Sequence, residues 1–172
     1  KIYYRNLRLI GIGESDLETR LLDLISNQTD PTIATYAKEG ECSVRITSKK
    51  ENLDEAKKSV DSILPYVNER VGEFIFSYDD KELIEVVADK LKAEKLTIST
   101  AESCTGGLLA STFTDVPGIS EVYEGGFVTY SNQAKIREIG VSEKTLKEYG
   151  AVSEQVAYQM AEGVRRVAET DI

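Results

Sequence analysis

The sequence predicts a small α+β domain followed by an α/β domain of three-layer type. Three observations carry that expectation. Cys42, Val44 and Ile46 alternate with Ser43, Arg45 and Thr47, the mark of a strand with one buried face. Apolar residues recur at helical spacing in Leu17, Leu21, Leu24 and Ile25, and again in Ala56, Val60, Ile63, Leu64 and Val67. From Tyr78 onward the pattern changes to helices alternating with single strands, which argues for helices layered on a sheet. The expected domains are residues 1–76 and 77–172.

In chain order, Tyr3 to Ile10 reads as extended, and Gly11-Ile12-Gly13 breaks it. Ser15 with Glu18 three residues on predicts a capping box opening the first helix. Thr32 to Ala37 reads as a strand, and the turn Lys38–Glu41 leads into the alternating strand to form a hairpin. Asn52 with Glu55 opens the second helix. This order resembles a KH-like module with two helices on one face of a small sheet. A nucleic-acid-binding KH domain needs a Gly-x-x-Gly loop with basic flanks. Here Gly11 and Gly13 are one residue apart and are followed by Glu14 and Asp16, so nucleic acid is not an expected partner.

Gly72 to Tyr78 reads as a short strand or linker. Asp79 and Glu82 are expected to cap a helix with the stripe Leu83, Val86, Val87 and Leu91. Leu96, Ile98 and Thr100 predict a strand, and Gly106-Gly107 leads into an apolar segment ending at Phe113. Phe127 to Tyr130 predicts another strand, followed by one or two helical turns over Gln133–Ile139. Ser153 opens a last helix with Val156, Met160, Val164 and Val167 on one side. Two strands are few for an α/β sheet, so the second domain is expected to be truncated at its C-terminus.

Composition removes several function classes. The chain of 172 residues has a net charge of −9, which argues against a general nucleic-acid surface. The first 77 residues hold 11 bases and 13 acids without clustering. No apolar run approaches the roughly 18 residues that cross a bilayer, and the start lacks a signal-peptide pattern. Two cysteines without metal-type spacing make a reducing cytoplasm the expected compartment and give no reason to expect a metal. The absence of histidine excludes Ser-His-Asp and Cys-His machinery, so a general base has to be Lys, Tyr, Asp, Glu, a thiolate or water.

Chemistry concentrates in two segments. Thr100-Ala101-Glu102-Ser103-Cys104-Thr105-Gly106-Gly107 sits where a strand gives way to a helix. Ser103 there can attack a carbonyl while nearby N–H groups stabilise the oxyanion, or the same donors can hold a ligand phosphate. Ser103 or Thr105 can equally be a plain helix cap. Cys104 is a second nucleophile in principle. In Gly125 to Lys135, Tyr130 lies at an expected strand end and Lys135 opens the next helix. Without histidine, Ser–Lys or Ser–Tyr–Lys is the natural way to activate Ser103.

Together these segments resemble the C-terminal domain of the CinA (competence/damage-inducible) family. The matching stretches are Ala101 to Gly107, Gly126 to Asn132 with Ala134-Lys135, Ile139-Gly140-Val141 and Gly150 to Ser153. Leu9 to Leu17 is similar to that family's middle KH-like domain. The resemblance implies an amidohydrolase that converts nicotinamide mononucleotide to nicotinic acid mononucleotide and ammonia, with no cofactor. It implies Ser103 as nucleophile, Lys135 with Tyr130 as base, and Thr105, Gly106 and Gly107, with Cys104, as the substrate-binding turn donating N–H groups. Another small amide would suit these residues as well, and a non-catalytic module docking a partner domain or RNA is the alternative reading. The family also implies a homodimer, a molybdopterin-binding-like domain preceding Lys1, and further pocket-lining strands after Ile172.

Overall fold

The computed structural model describes residues 1–172, which divide into two compact units, Lys1–Val86 and Val87–Ile172. In the first unit, β1 (Ile2–Leu9), β2 (Thr32–Lys38), β3 (Glu41–Lys49) and β4 (Ile75–Ser77) form an antiparallel sheet in the order β2-β3-β1-β4. The register places Leu7 opposite Val44 and Ile33 opposite Ile46, so the apolar alternation of three strands points to one face. Helices α1 (Glu14–Ser26) and α2 (Leu53–Val71) cover that face. Leu7, Leu9, Leu17, Leu21, Val44, Ile46, Val60 and Val67 are all fully buried between the layers. The expected stripes are therefore the core.

Asn52 caps α2 by accepting the Glu55 N–H at 2.9 Å, as expected. The box expected at Ser15 does not form. Helix α1 begins two residues earlier than that cap would start it, Gly13 is its N-cap, and no side chain accepts from its first turn. The opposite sheet face is polar and exposed around Tyr4, Tyr36 and Arg45, but buried at Arg8. On it the Arg45 guanidinium lies 5.2 and 5.4 Å from the ring centroids of Tyr4 and Tyr36, while Arg8 is paired with Glu41 at 2.6 Å and Glu82 at 2.7 Å.

Helix α3 (Leu83–Glu94) opens with the Glu82 N–H donating to the Glu85 carboxylate at 2.8 Å; Asp79 takes no part in the cap. The second unit is built on two parallel strands, β5 (Ile98–Glu102) and β6 (Tyr123–Val128), joined through α4 (Leu108–Thr114). A parallel pair requires such a crossover. Helices α5 (Asn132–Ile139), α6 (Glu143–Tyr149) and α7 (Glu154–Ala168) follow. Ser153 caps α7 by accepting from the Val156 N–H, as expected. Ile139, Val141, Val156, Met160 and Val164 form its core, with Ala101 and Phe127 packed against them.

Strand β6 starts four residues before Phe127 and ends at Val128 rather than Tyr130, because its partner β5 ends at Glu102, opposite Val128. Helix α6 has too short a polar-apolar pattern to register in the sequence. Val167, expected on the buried side of α7, is 47% exposed because the helix packs only up to Val164. Two glycines set the spacing of the layers. A Cβ on Gly126 would lie 2.2 Å from Thr100 Oγ1, and one on Gly163 would lie 2.0 Å from the Ile139 carbonyl oxygen.

Candidate active site

Strand β5 ends at Glu102 and the chain turns through Ser103, Cys104, Thr105, Gly106 and Gly107 into α4. Both glycines have positive φ, +64° and +101°, which a residue with a Cβ rarely adopts, so this turn depends on them. Strand β6 runs parallel beside β5, and the Thr129 N–H donates to the Glu102 carbonyl at 2.9 Å, tying the two strand ends together. Ser131 then caps α5 by accepting the Ala134 N–H at 3.1 Å. That cap fixes the first turn of α5, on which Lys135 lies.

Lys135 is 1% exposed, and the polar contacts of its Nζ are all to uncharged oxygens. Its Nζ donates to Ser103 Oγ at 3.0 Å, to the Thr129 carbonyl at 2.6 Å and to the Tyr130 carbonyl at 3.3 Å. A neutral amine in this position donates to the two carbonyls and accepts from the Ser103 hydroxyl, so its lone pair is aimed at one hydroxyl. Ser103 also lines an open cleft of about 740 Å³ between β5 and α7, together with Cys104, Ala101, Leu109, Met160 and Val164. Glu154 is the one charged residue in its lining. The serine therefore stands between the cleft and the buried amine.

Tyr130 joins this group through its carbonyl rather than its phenol. Its side chain lies past the end of β6, is 77% exposed, and makes no hydrogen bond to Ser103 or Lys135. The N–H groups of Gly106 and Gly107, expected as donors to a ligand, are engaged within the turn in this structure. The Gly106 N–H bonds the Ser103 carbonyl at 3.1 Å, and the Gly107 N–H bonds Glu102 Oε2 at 3.2 Å. No protein acceptor meets the N–H groups of Ser103, Cys104 and Thr105, so these are the donors the turn has left. Cys104 is exposed and lines the cleft next to Ser103.

Glu102 is the residue that the sequence reading passes over. It is 5% exposed, and its carboxylate also accepts the N–H groups of Leu109 at 3.1 Å and Ala110 at 2.8 Å. Burial pushes its carboxyl up, but the N–H groups of Ala110, Leu109 and Gly107 and the Thr105 hydroxyl outweigh it and hold the group below the usual glutamate range. The signal was an acid closing a strand just before a glycine turn and a short helix whose first N–H groups need acceptors.

Residues 80–172 match the CinA C-terminal domain, and residues 4–77 match the KH domain of the damage-inducible protein CinA. The chain belongs to the CinA family. A CinA-like protein of Dictyoglomus turgidum is 46% identical over 171 residues, covering 99% of this chain and 42% of that protein. One from Kosmotoga olearia is 44% identical with the same coverage. The chain thus spans about two fifths (42%) of these relatives. Among solved structures, a CinA superfamily protein of Escherichia coli is 43% identical, covers 52% of each chain and superposes with a TM-score of 0.51. A competence or damage-inducible protein of Enterobacter asburiae is 41% identical, covering 52% of this chain and 57% of its own, also at 0.51. The KH-like and α/β architecture is thus that of the CinA family, and no helix is long and apolar enough to cross a membrane.

Proposed function

We propose that the second unit of this CinA-family chain carries the serine and base of an amidohydrolase acting on nicotinamide mononucleotide. The observation that supports this reading is the 3.0 Å hydrogen bond between the buried Lys135 amine and Ser103, the serine facing the cleft. A side-chain base within hydrogen-bond reach of a hydroxyl is what nucleophilic catalysis by serine requires. In a chain with no histidine, lysine is a residue type able to fill that role.

In the proposed reaction Lys135 acts from its neutral amine form: Ser103 Oγ attacks the carboxamide carbon as the Nζ lone pair takes the hydroxyl proton. The oxygen charge that develops lies against the N–H groups of Cys104 and Thr105, which have no protein acceptor. Lys135 returns the proton to the departing nitrogen, and ammonia leaves the serine ester. Water then attacks the ester, its proton passing to Lys135 and back to Ser103 Oγ, and releases nicotinic acid mononucleotide. Gly106 and Gly107 shape the turn, and the Thr129 and Tyr130 carbonyls hold the amine on the serine. The test is ammonia release from nicotinamide mononucleotide by the chain and by a form extended at Ile172 with the segment that follows in the relatives. The reading expects release in the extended form and none in its Ser103→Ala variant. A folded extended protein without turnover would remove the substrate assignment.

A further inference from the structure

The Ser–Lys pair leaves one buried ionisable side chain of the second unit without a role. Glu102 is absent from the cleft lining, makes no hydrogen bond to Ser103 Oγ or Lys135 Nζ, and has its carboxylate held by backbone N–H groups. Burying an unpaired carboxylate is costly, and a plain cap of a seven-residue helix needs only a side-chain oxygen of the Ser or Asn type at the N-cap. Here the N-cap is Gly107, and the acceptor comes instead from the strand, reaching three N–H groups across the turn. The backbone of Glu102 is fixed on its other side, where its carbonyl accepts the Thr129 N–H at 2.9 Å. Thr129 in turn supplies the 2.6 Å acceptor for Lys135. One residue therefore connects the two supports of the reacting pair. Its side chain holds the turn that presents Ser103, and its main chain holds the strand end that anchors Lys135.

We infer that Glu102 is the positioning residue of this site, setting Ser103 against Lys135 by gathering the N–H groups of Gly107, Leu109 and Ala110 on its carboxylate. The inference rests on the Ser103–Lys135 pair proposed above. It also accounts for which N–H groups of the turn stay without a protein acceptor. With the α4 N-terminus occupied by an internal anion, that helix end offers nothing to a ligand, and the N–H groups of Ser103, Cys104 and Thr105 remain. Glu102→Gln keeps the shape, but it removes the charge and turns one acceptor into a donor facing N–H groups.

The experiment measures how fast a fluorophosphonate labels Ser103 in the chain as it stands, located by peptide mass spectrometry, alongside the thermal midpoint. Lys135→Met and Ser103→Ala report on the pair itself. The inference expects Ser103 labelling in the parent, loss in Lys135→Met, and a fall of about 10- to 100-fold in Glu102→Gln with a cooperative transition retained. Glu102→Asp, which keeps the charge on a shorter arm, recovers part of the rate. If Glu102→Gln does not fold, Ala110→Pro gives the same readout. It removes the N–H that Oε1 accepts, in the first turn of α4, where that N–H has no intrahelical partner to lose. Unchanged labelling in a folded Glu102→Gln or Ala110→Pro protein, with Lys135→Met impaired, overturns the positioning role and leaves the pair standing. Labelling that is absent in the parent, or indifferent to Lys135→Met, removes the pair and the inference with it.

Discussion

Replacing Lys135 by methionine separates the chemistry of the amine from its packing. Methionine keeps the side chain out to Cε and omits only the amine, so the change creates little cavity. Three hydrogen bonds are lost, at 3.0 Å to Ser103, 2.6 Å to Thr129 and 3.3 Å to Tyr130. Thr129 is 1% exposed, so its carbonyl loses a partner where water has little access, at a cost of about 1–3 kcal/mol. The Tyr130 contact is the longest and its residue is exposed, so that carbonyl turns to solvent at small cost. Against these losses stands relief from burying an amine with no carboxylate partner, which is of similar size. The net change in stability is expected to lie within about 2 kcal/mol, while loss of a general base lowers turnover about 100- to 10,000-fold. Urea unfolding followed by circular dichroism reads the first quantity, and ammonia release from nicotinamide mononucleotide by the extended form reads the second. Turnover preserved within about tenfold in a folded Lys135→Met protein would refute the assignment of the base.

Gly163→Ala places a methyl 2.0 Å from the Ile139 carbonyl oxygen. The overpacking cost of about 3 kcal/mol exceeds the gain of about 1 kcal/mol from helix propensity, so the urea midpoint of the second unit falls. Gly13→Ser supplies the side-chain acceptor that α1 lacks, at a position with φ −84° and nothing within 4 Å of the new Cβ. A gain between a few tenths and about 1 kcal/mol in unfolding free energy is expected, and a loss would contradict the cap geometry. The hydrogen bond from Lys50, aided by the Lys49 N–H, holds the Asp30 carboxyl down from 3.8 to about 2. Its folded-state value is the lower one, so its contribution is complete above pH 3.8 and is lost as pH falls toward about 2. Asp30→Asn is expected to flatten the acid limb of the stability profile of the first unit, and an unchanged limb would count against the pairing.

Much of the first unit was legible because its signals are periodic. Val44 and Ile46 alternate with polar residues, and Val60 and Val67 recur at helical spacing, so the buried face follows from the pattern alone. The cap at Ser15 failed for a local reason: Gly13 already had the extended backbone of an N-cap, which placed the serine inside the helix. In the second unit, Ser103 and Lys135 could be named because a histidine-free chain leaves few bases and both sit at strand–helix junctions. Their pairing depends on β5 and β6 lying side by side in parallel, a long-range contact that no local pattern encodes. Tyr130 was misplaced for the same reason. An earlier end to β6 sends its ring outward and leaves its carbonyl toward the amine. Glu102 escaped notice because a glutamate at a strand end looks like a solvated charge until α4 folds over it.

The most direct test of the account is to trap the serine ester. The extended form is mixed with nicotinamide mononucleotide, quenched in acid during turnover and digested, and the peptide bearing Ser103 is weighed. The account predicts an adduct of the substrate acyl group on that peptide, formed along with ammonia and absent from Ser103→Ala. Ammonia release that continues in Ser103→Ala, with no adduct on the parent enzyme, would contradict it.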